Sequence, residues 1–126
     1  MKKKILVVDD EENLRLLYGG EFEDEGYTVA TAASAEEAFA VFKEFRPDLV
    51  TLDVKMPGMG GIAALRAIRD IDPAVPVVML TAYPEFKADF DVLSADAYVV
   101  KSTDLEGLKR QVRFLLGGGK QGTHPS

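Results

Sequence analysis

The sequence predicts an α/β protein with five strands and five helices in alternation. This (βα)5 order folds as a doubly wound parallel five-stranded sheet with helices on both faces. Three observations predict it. Five short apolar segments, several rich in valine, lack polar alternation, as strands buried on both faces of a parallel sheet do. The stretches between them carry apolar residues at helical spacing. A chain of 126 residues, 47% hydrophobic and 29% charged, is enough for one such domain with a single core and too short for two.

In order, Ile5–Val8 reads as the first strand and runs directly into Asp9-Asp10. Leu14, Leu17, Tyr18 and Phe22 form the stripe of a first helix that Gly26 ends. Gly19-Gly20 falls inside that helix, where each glycine costs about 1 kcal/mol relative to alanine; close helix packing is one reason to keep the pair. The second strand, Thr28–Ala32, leads to a helix striped by Ala35, Ala38, Phe39, Phe42 and Phe45. Ser34 caps it, Glu37 is the capping-box partner, and Pro47 closes it. Leu49–Leu52 is the third strand, followed by a helix with Ile62, Leu65 and Ile68 on one face. Val75–Leu80 is the fourth strand, and Phe86, Phe90 and Leu93 suggest a shorter helix with Pro84 in its first turn. The fifth strand is Ala97–Val100; Ser102 or Thr103 caps a last helix striped by Leu105, Leu108, Val112 and Leu115. All these stripes read as core packing. Residues 1–116 are thus expected to form the domain, and the glycine-rich segment 117–126 a flexible tail or linker stub.

Composition excludes several classes of function. A net charge of −6 opposes direct nucleic-acid binding, which needs a basic face. With no cysteine there is no disulfide framework, thiolate metal site or cysteine nucleophile. No apolar run approaches the roughly 18 residues of a membrane span, and the run after Lys2-Lys3-Lys4 stops too soon for a signal peptide, so a cytoplasmic location is the default. Gly117-Gly118-Gly119-Lys120 lacks the spacing of a phosphate loop, and His124, the one histidine, has no metal partner nearby in sequence.

Ligands of an open parallel sheet sit beyond the carboxyl ends of its strands, near the point where strand order reverses. Here that edge is polar. The first strand runs into Asp9, Asp10 and Glu11, the third ends at Asp53, the fourth at Thr81 and the fifth at Lys101. Each residue alone has an ordinary use as a cap, a turn residue or a solvated side chain; together they form a site. Adjacent carboxylates repel, a cost that a divalent cation offsets. Mg2+ takes oxygen ligands and often uses one or two carboxylates with waters and phosphate oxygens. A carboxylate such as Asp53 can accept a phosphoryl group as an aspartyl phosphate. Mg2+ and Lys101 would then neutralise the equatorial oxygens, with the Thr81 hydroxyl as a donor.

These motifs resemble a known family. Val7-Val8-Asp9-Asp10-Glu11, the run from Asp53 to Gly61, Thr81-Ala82-Tyr83 and Val99-Val100-Lys101 look like the four signatures of response-regulator receiver domains. The resemblance covers residues 2–116. It implies the flavodoxin-like strand order 2-1-3-4-5, with Asp53 as phosphoacceptor. Asp9, Asp10 and Asp53 would be metal ligands, joined by the Lys55 backbone carbonyl. Thr81 and Lys101 would contact the phosphoryl group, and Tyr98 matches the aromatic switch position. In one place the chain departs from the pattern. The family's lysine is usually followed by a proline with a cis peptide bond, whereas Ser102 follows Lys101 here. A non-proline cis bond costs roughly 2.5–4 kcal/mol, so the geometry of this loop is what the change affects. The stretch from Thr81 to Lys101 is also slightly short for the family, which predicts an abbreviated or irregular fourth helix.

The function so implied is a phosphoacceptor switch charged by a sensor histidine kinase or phosphotransfer protein. It assists its own phosphorylation and dephosphorylation but turns over no independent substrate, and dimerisation on phosphorylation is a further hypothesis. A pseudo-receiver, an interaction module that keeps the fold without phosphorylation, is the alternative that Ser102 keeps open. A Mg2+-dependent phosphohydrolase ranks last, because such enzymes usually place a second aspartate two residues after the nucleophile, where this chain has Lys55.

Overall fold

The computed structural model describes residues 2–54, 61–81, 96–100 and 105–117. In chain order its elements are β1 (Lys4–Val8), α1 (Glu12–Asp24), β2 (Thr28–Ala32), α2 (Ala35–Phe45), β3 (Leu49–Val54), α3 (Gly61–Ile71), β4 (Val77–Thr81), β5 (Ala97–Val100) and α4 (Leu105–Leu116). The strands form one parallel sheet in the order β2-β1-β3-β4-β5, the predicted arrangement. The expected short helix at Phe86–Leu93, the Lys101–Ser102 bond, the caps at Ser102 and Thr103 and most of the tail lie outside the described residues.

Alternate residues of each strand enter opposite cores. Leu6, Val8, Val50, Leu52, Val77 and Met79 pack beneath α2 and α3 with Phe42, Leu65 and Ile68. Ile5, Val7, Leu49, Val78 and Leu80 pack on the other face beneath α1 and α4 with Tyr18, Phe22, Leu108 and Val112. Burial on both faces is why these segments show no polar alternation. On the second face α4 is tied to α1 by ion pairs, Lys109 to Glu21 at 2.6 Å and Arg113 to Glu25 at 3.0 Å.

Local signals act largely as expected. Gly26 sits at φ 99° after α1, where its N–H bonds to Glu23 O and that of Tyr27 to Phe22 O, the Schellman pattern that favours glycine. Ser34 Oγ caps α2 through the Glu37 N–H at 3.1 Å. The Glu37 carboxylate returns to the N–H of Ala33 at 2.7 Å, one residue further back than in the usual box. α2 ends at Phe45, shortly before Pro47 as expected, and Arg46 is its C-cap in the left-handed region at φ 52°.

Two stripe residues leave the core. Leu17 is 43% exposed and Phe39 37% exposed. In α1 the buried line is Tyr18 and Phe22, flanked by half-buried Leu14, a four-residue step that turns Leu17 outward. Phe39 instead carries the Lys43 ammonium 4.6 Å from its ring centroid. The glycine pair splits: Gly19 is buried, and a Cβ there would stand 3.6 Å from Val29 Cγ1, whereas a Cβ on Gly20 meets nothing within 4 Å. β3 and β4 also run slightly beyond the sequence estimate, to Val54 and Thr81, and β4 starts at Val77 rather than Val75.

Candidate functional site

Strand order reverses between β1 and β3. The chain leaves β1 through α1 on one face of the sheet and leaves β3 through α3 on the other. The parting connections open a crevice at the carboxyl ends of these two strands. Register places the acidic residues at its mouth. Val8 pairs with Leu52, so Asp9, with Asp10 next to it just beyond β1, comes level with Asp53 on β3. Carboxylate oxygens of Asp9, Asp10 and Asp53 all lie within 4.8 Å of one another. Asp9 and Asp53 are 2% and 7% exposed, while Asp10 opens to solvent.

Asp9 is held from three directions. Its N–H donates to Ala32 O at 3.0 Å, extending the β1–β2 ladder by one residue. Its Oδ1 accepts from the Glu11 N–H at 2.9 Å, and its carbonyl accepts from the Arg15 guanidinium at 2.7 Å. Arg15 gives the acidic pocket a nearby positive charge from the first turns of α1. No motif flagged it, since it stands six positions along the chain from Asp9, across a turn and the start of α1.

Three carboxylates, two of them buried, make an unfavourable group by themselves. At an effective dielectric of about 20, unit charges roughly 5 Å apart, as on the buried pair Asp9 and Asp53, repel by about 3 kcal/mol. The donor set is all oxygen, clustered tightly enough to share one small ion and open to solvent on the Asp10 side, which suits a hard divalent cation that keeps waters. The residues therefore fit Mg2+.

Thr81 is the last residue of β4, paired to Val54 on one side and to Val100 on the other, which brings its backbone beside the strand that carries Asp53. Tyr98 lies on β5, paired with Met79. Lys55 and Lys101 fall outside the described residues. Sequence reasoning also missed Arg69 and Asp96, an ion pair at 3.0 Å spanning 27 positions; nothing local marks it.

Comparison with known proteins accords with this geometry. A family model described as the response regulator receiver domain matches residues 5–113. The chain belongs to this family. The receiver domain is 36% identical over 118 residues to sporulation initiation phosphotransferase F of Bacillus subtilis (strain 168), covering 92% of this chain and 95% of that protein. It is also 36% identical over 115 residues to regulatory protein AtoC of Escherichia coli (strain K12), of which it spans only 25%. Response regulator protein TrrA from Thermotoga maritima, solved in complex with Mg2+-BeF, superimposes with a TM-score of 0.81 at 42% identity, covering 90% of this chain and 98% of TrrA. TrrA in complex with histidine kinase ThkA superimposes with a TM-score of 0.80 at 43% identity over the same shares. As a receiver domain, the chain is a signalling module of two-component systems. Among the described residues no helix is long and apolar enough to cross a membrane.

Proposed function

We propose that this receiver domain takes a phosphoryl group onto Asp53 from a phosphohistidine of a sensor kinase or phosphotransfer protein, with Mg2+ bound beside it. The observation that carries the reading is the convergence of Asp9, Asp10 and Asp53 within 4.8 Å, with Asp53 buried at a strand end where a plain loop role is a poor fit. Support for the donor comes from TrrA, similar over nearly its whole length and solved with a histidine kinase. Support for the metal comes from the Mg2+-BeF complex of the same relative.

In this reading an Asp53 carboxylate oxygen attacks phosphorus in line. The new P–O bond forms as the P–N bond to the donor imidazole breaks, and the imidazole leaves with a proton from solvent. Asp9, Asp10, Asp53 and the Lys55 backbone carbonyl hold Mg2+, which when bound supplies positive charge to the phosphoryl oxygens. The Glu11 N–H keeps the Asp9 carboxylate in place, and Arg15 holds the backbone of the same residue. Thr81 contributes a hydroxyl donor and Lys101 an ammonium toward the equatorial oxygens. The added charge, about −1.5 to −2, then shifts an equilibrium between two surface states, with Tyr98 as the switching aromatic. Residues 1–116 carry this activity in the cytoplasm, self-assisted and without turnover of an outside substrate; a homodimer formed on phosphorylation belongs to the same reading. Ser102 after Lys101 favours a second reading, the non-phosphorylated pseudo-receiver.

Intact mass after incubation with Mg2+ and acetyl phosphate separates the two. The expected result is a Mg2+-dependent gain of one phosphoryl group in the wild type and none in Asp53→Ala. No gain in either, together with no Mg2+ binding, would favour the pseudo-receiver.

A further inference from the structure

Asp96, the residue before β5, engages both backbone groups of Val77, the first residue of β4. Its N–H donates to Val77 O at 2.8 Å, and its Oδ2 accepts from the Val77 N–H at 2.7 Å. The same Oδ2 accepts from the Arg69 guanidinium at 3.0 Å, while the other arm of Arg69 donates to the carbonyl of Val75. Arg69 stands in the last turn of α3, where a cation also suits the helix dipole. Both side chains are mostly covered, 17% and 15% exposed, so the pair is less screened than a surface contact.

β5 has a particular need of such an anchor. It is four residues long and, among the described residues, lies at the edge of the sheet with a ladder on one side only. The side chains it turns into the core beneath α1 and α4 are Ala97 and Val99, both only half-buried. A slip of one residue would exchange the faces of the strand; a slip of two would preserve them and shift the strand by about 6.6 Å. Apolar patterning opposes the first slip and barely opposes the second. The Asp96 carboxylate opposes both, because it can reach the Val77 N–H in one register only. At the other end of the strand that register sets Val100 against Thr81, and Lys101 follows Val100 directly.

We propose that Arg69 and Asp96 are positioning residues for phosphorylation: they hold the register of β5 on β4 from its amino end and thereby place Lys101 relative to Asp53. The inference rests on the reading that Lys101 contacts the phosphoryl group on Asp53. It predicts a split between two functions of the site. The proposed metal-holding carboxylates follow β1 and lie near the end of β3, while the contacts of Arg69 and Asp96 described above fall on α3, β4 and the segment just before it, and Lys101 follows β5.

The test compares wild type, Asp96→Ala, Asp96→Asn, Arg69→Met and Arg69→Lys. Phosphorylation by acetyl phosphate at saturating Mg2+ is measured beside Mg2+ affinity by calorimetry and amide exchange along the sheet. Asp96→Ala is expected to slow phosphorylation on the order of ten-fold or more, since displacements of about 1 Å can cost more than that. Its Mg2+ dissociation constant should stay within about two-fold of wild type, with amide protection lost on β5 and kept on β1 and β3. Arg69→Lys should retain more of the rate than Arg69→Met. Should Asp96→Ala fail to fold, Asp96→Asn keeps an oxygen for the Val77 N–H, drops the charge and should show the same split more weakly. A rate unchanged in the folded variants overturns the proposal, as does a parallel fall in rate and Mg2+ affinity. Unchanged β5 protection overturns the anchor whatever Asp53 does. A wild type that takes no phosphoryl group, like Asp53→Ala, overturns the positioning role by way of the Asp53 reading, and the exchange data still decide whether Asp96 anchors β5.

Discussion

Replacing Asp9 by asparagine should stabilise the metal-free protein. Asp9 is 2% exposed, and its carboxylate lies within 4.8 Å of those of Asp53 and Asp10. Asparagine is isosteric and keeps an Oδ1 to accept the Glu11 N–H, so the substitution removes charge while leaving that hydrogen bond in place. Repulsion with buried Asp53 amounts to about 3 kcal/mol at an effective dielectric near 20, and that with solvent-facing Asp10 to under about 1 kcal/mol near the dielectric of water. The attraction of Arg15, which reaches the Asp9 carbonyl at 2.7 Å, offsets part of this. A net gain of about 1–3 kcal/mol remains, equivalent to a rise in Tm of roughly 3–12 °C for a domain of this size. The assay is thermal unfolding followed by circular dichroism in EDTA and again in millimolar Mg2+. Wild type should gain stability with Mg2+ through binding to the native state, and Asp9→Asn should gain less. An Asp9→Asn protein no more stable than wild type in EDTA, or one that gains as much from Mg2+, would refute the electrostatic account of the site.

Other substitutions test the frame around it. Gly20→Ala should raise stability by about 0.5–1 kcal/mol, read as a higher urea midpoint at unchanged slope, because a Cβ there meets nothing within 4 Å. Thr51→Val should be neutral or stabilising by about 1 kcal/mol in the same assay: the Thr51 hydroxyl is buried with no hydrogen-bond partner among the described residues, and valine has nearly its shape. Burial, then the nearby Glu25 carboxylate, raise the Tyr27 phenol above 10.0, while Arg113 lowers it. With the folded value above the unfolded one, the stabilisation is fully present below pH 10 and is lost as pH rises through the folded value. Ultraviolet titration of the tyrosines should show Glu25→Gln bringing Tyr27 down and Arg113→Gln taking it up.

Much of the fold was legible because its signals are local. Valine-rich runs without alternation read as buried strands, and Ser34 and Gly26 ended helices by hydrogen-bonding geometry that needs few neighbours. The acidic site was legible for a related reason. In a parallel sheet every strand points the same way, so residues following different strands collect at one edge whatever their separation in sequence. Asp9, Asp10 and Asp53 were therefore recognisable as one group before any distance was known.

Tertiary structure alone decided which residues of each stripe face the sheet, because helix rotation depends on the partner. Hence Leu17 and Phe39 turned outward while Tyr18 and Phe42 were buried. It alone brought Arg15 back to the Asp9 carbonyl and joined Arg69 to Asp96. A lone charged side chain carries no mark of its partner; the partner is selected by which backbone groups the fold leaves within reach. The sequence by itself determined the alternation of elements, the polar edge and the family. Packing and strand register, which depend on residues far apart in the chain, determined how those carboxylates are held and what keeps β5 in step with β4.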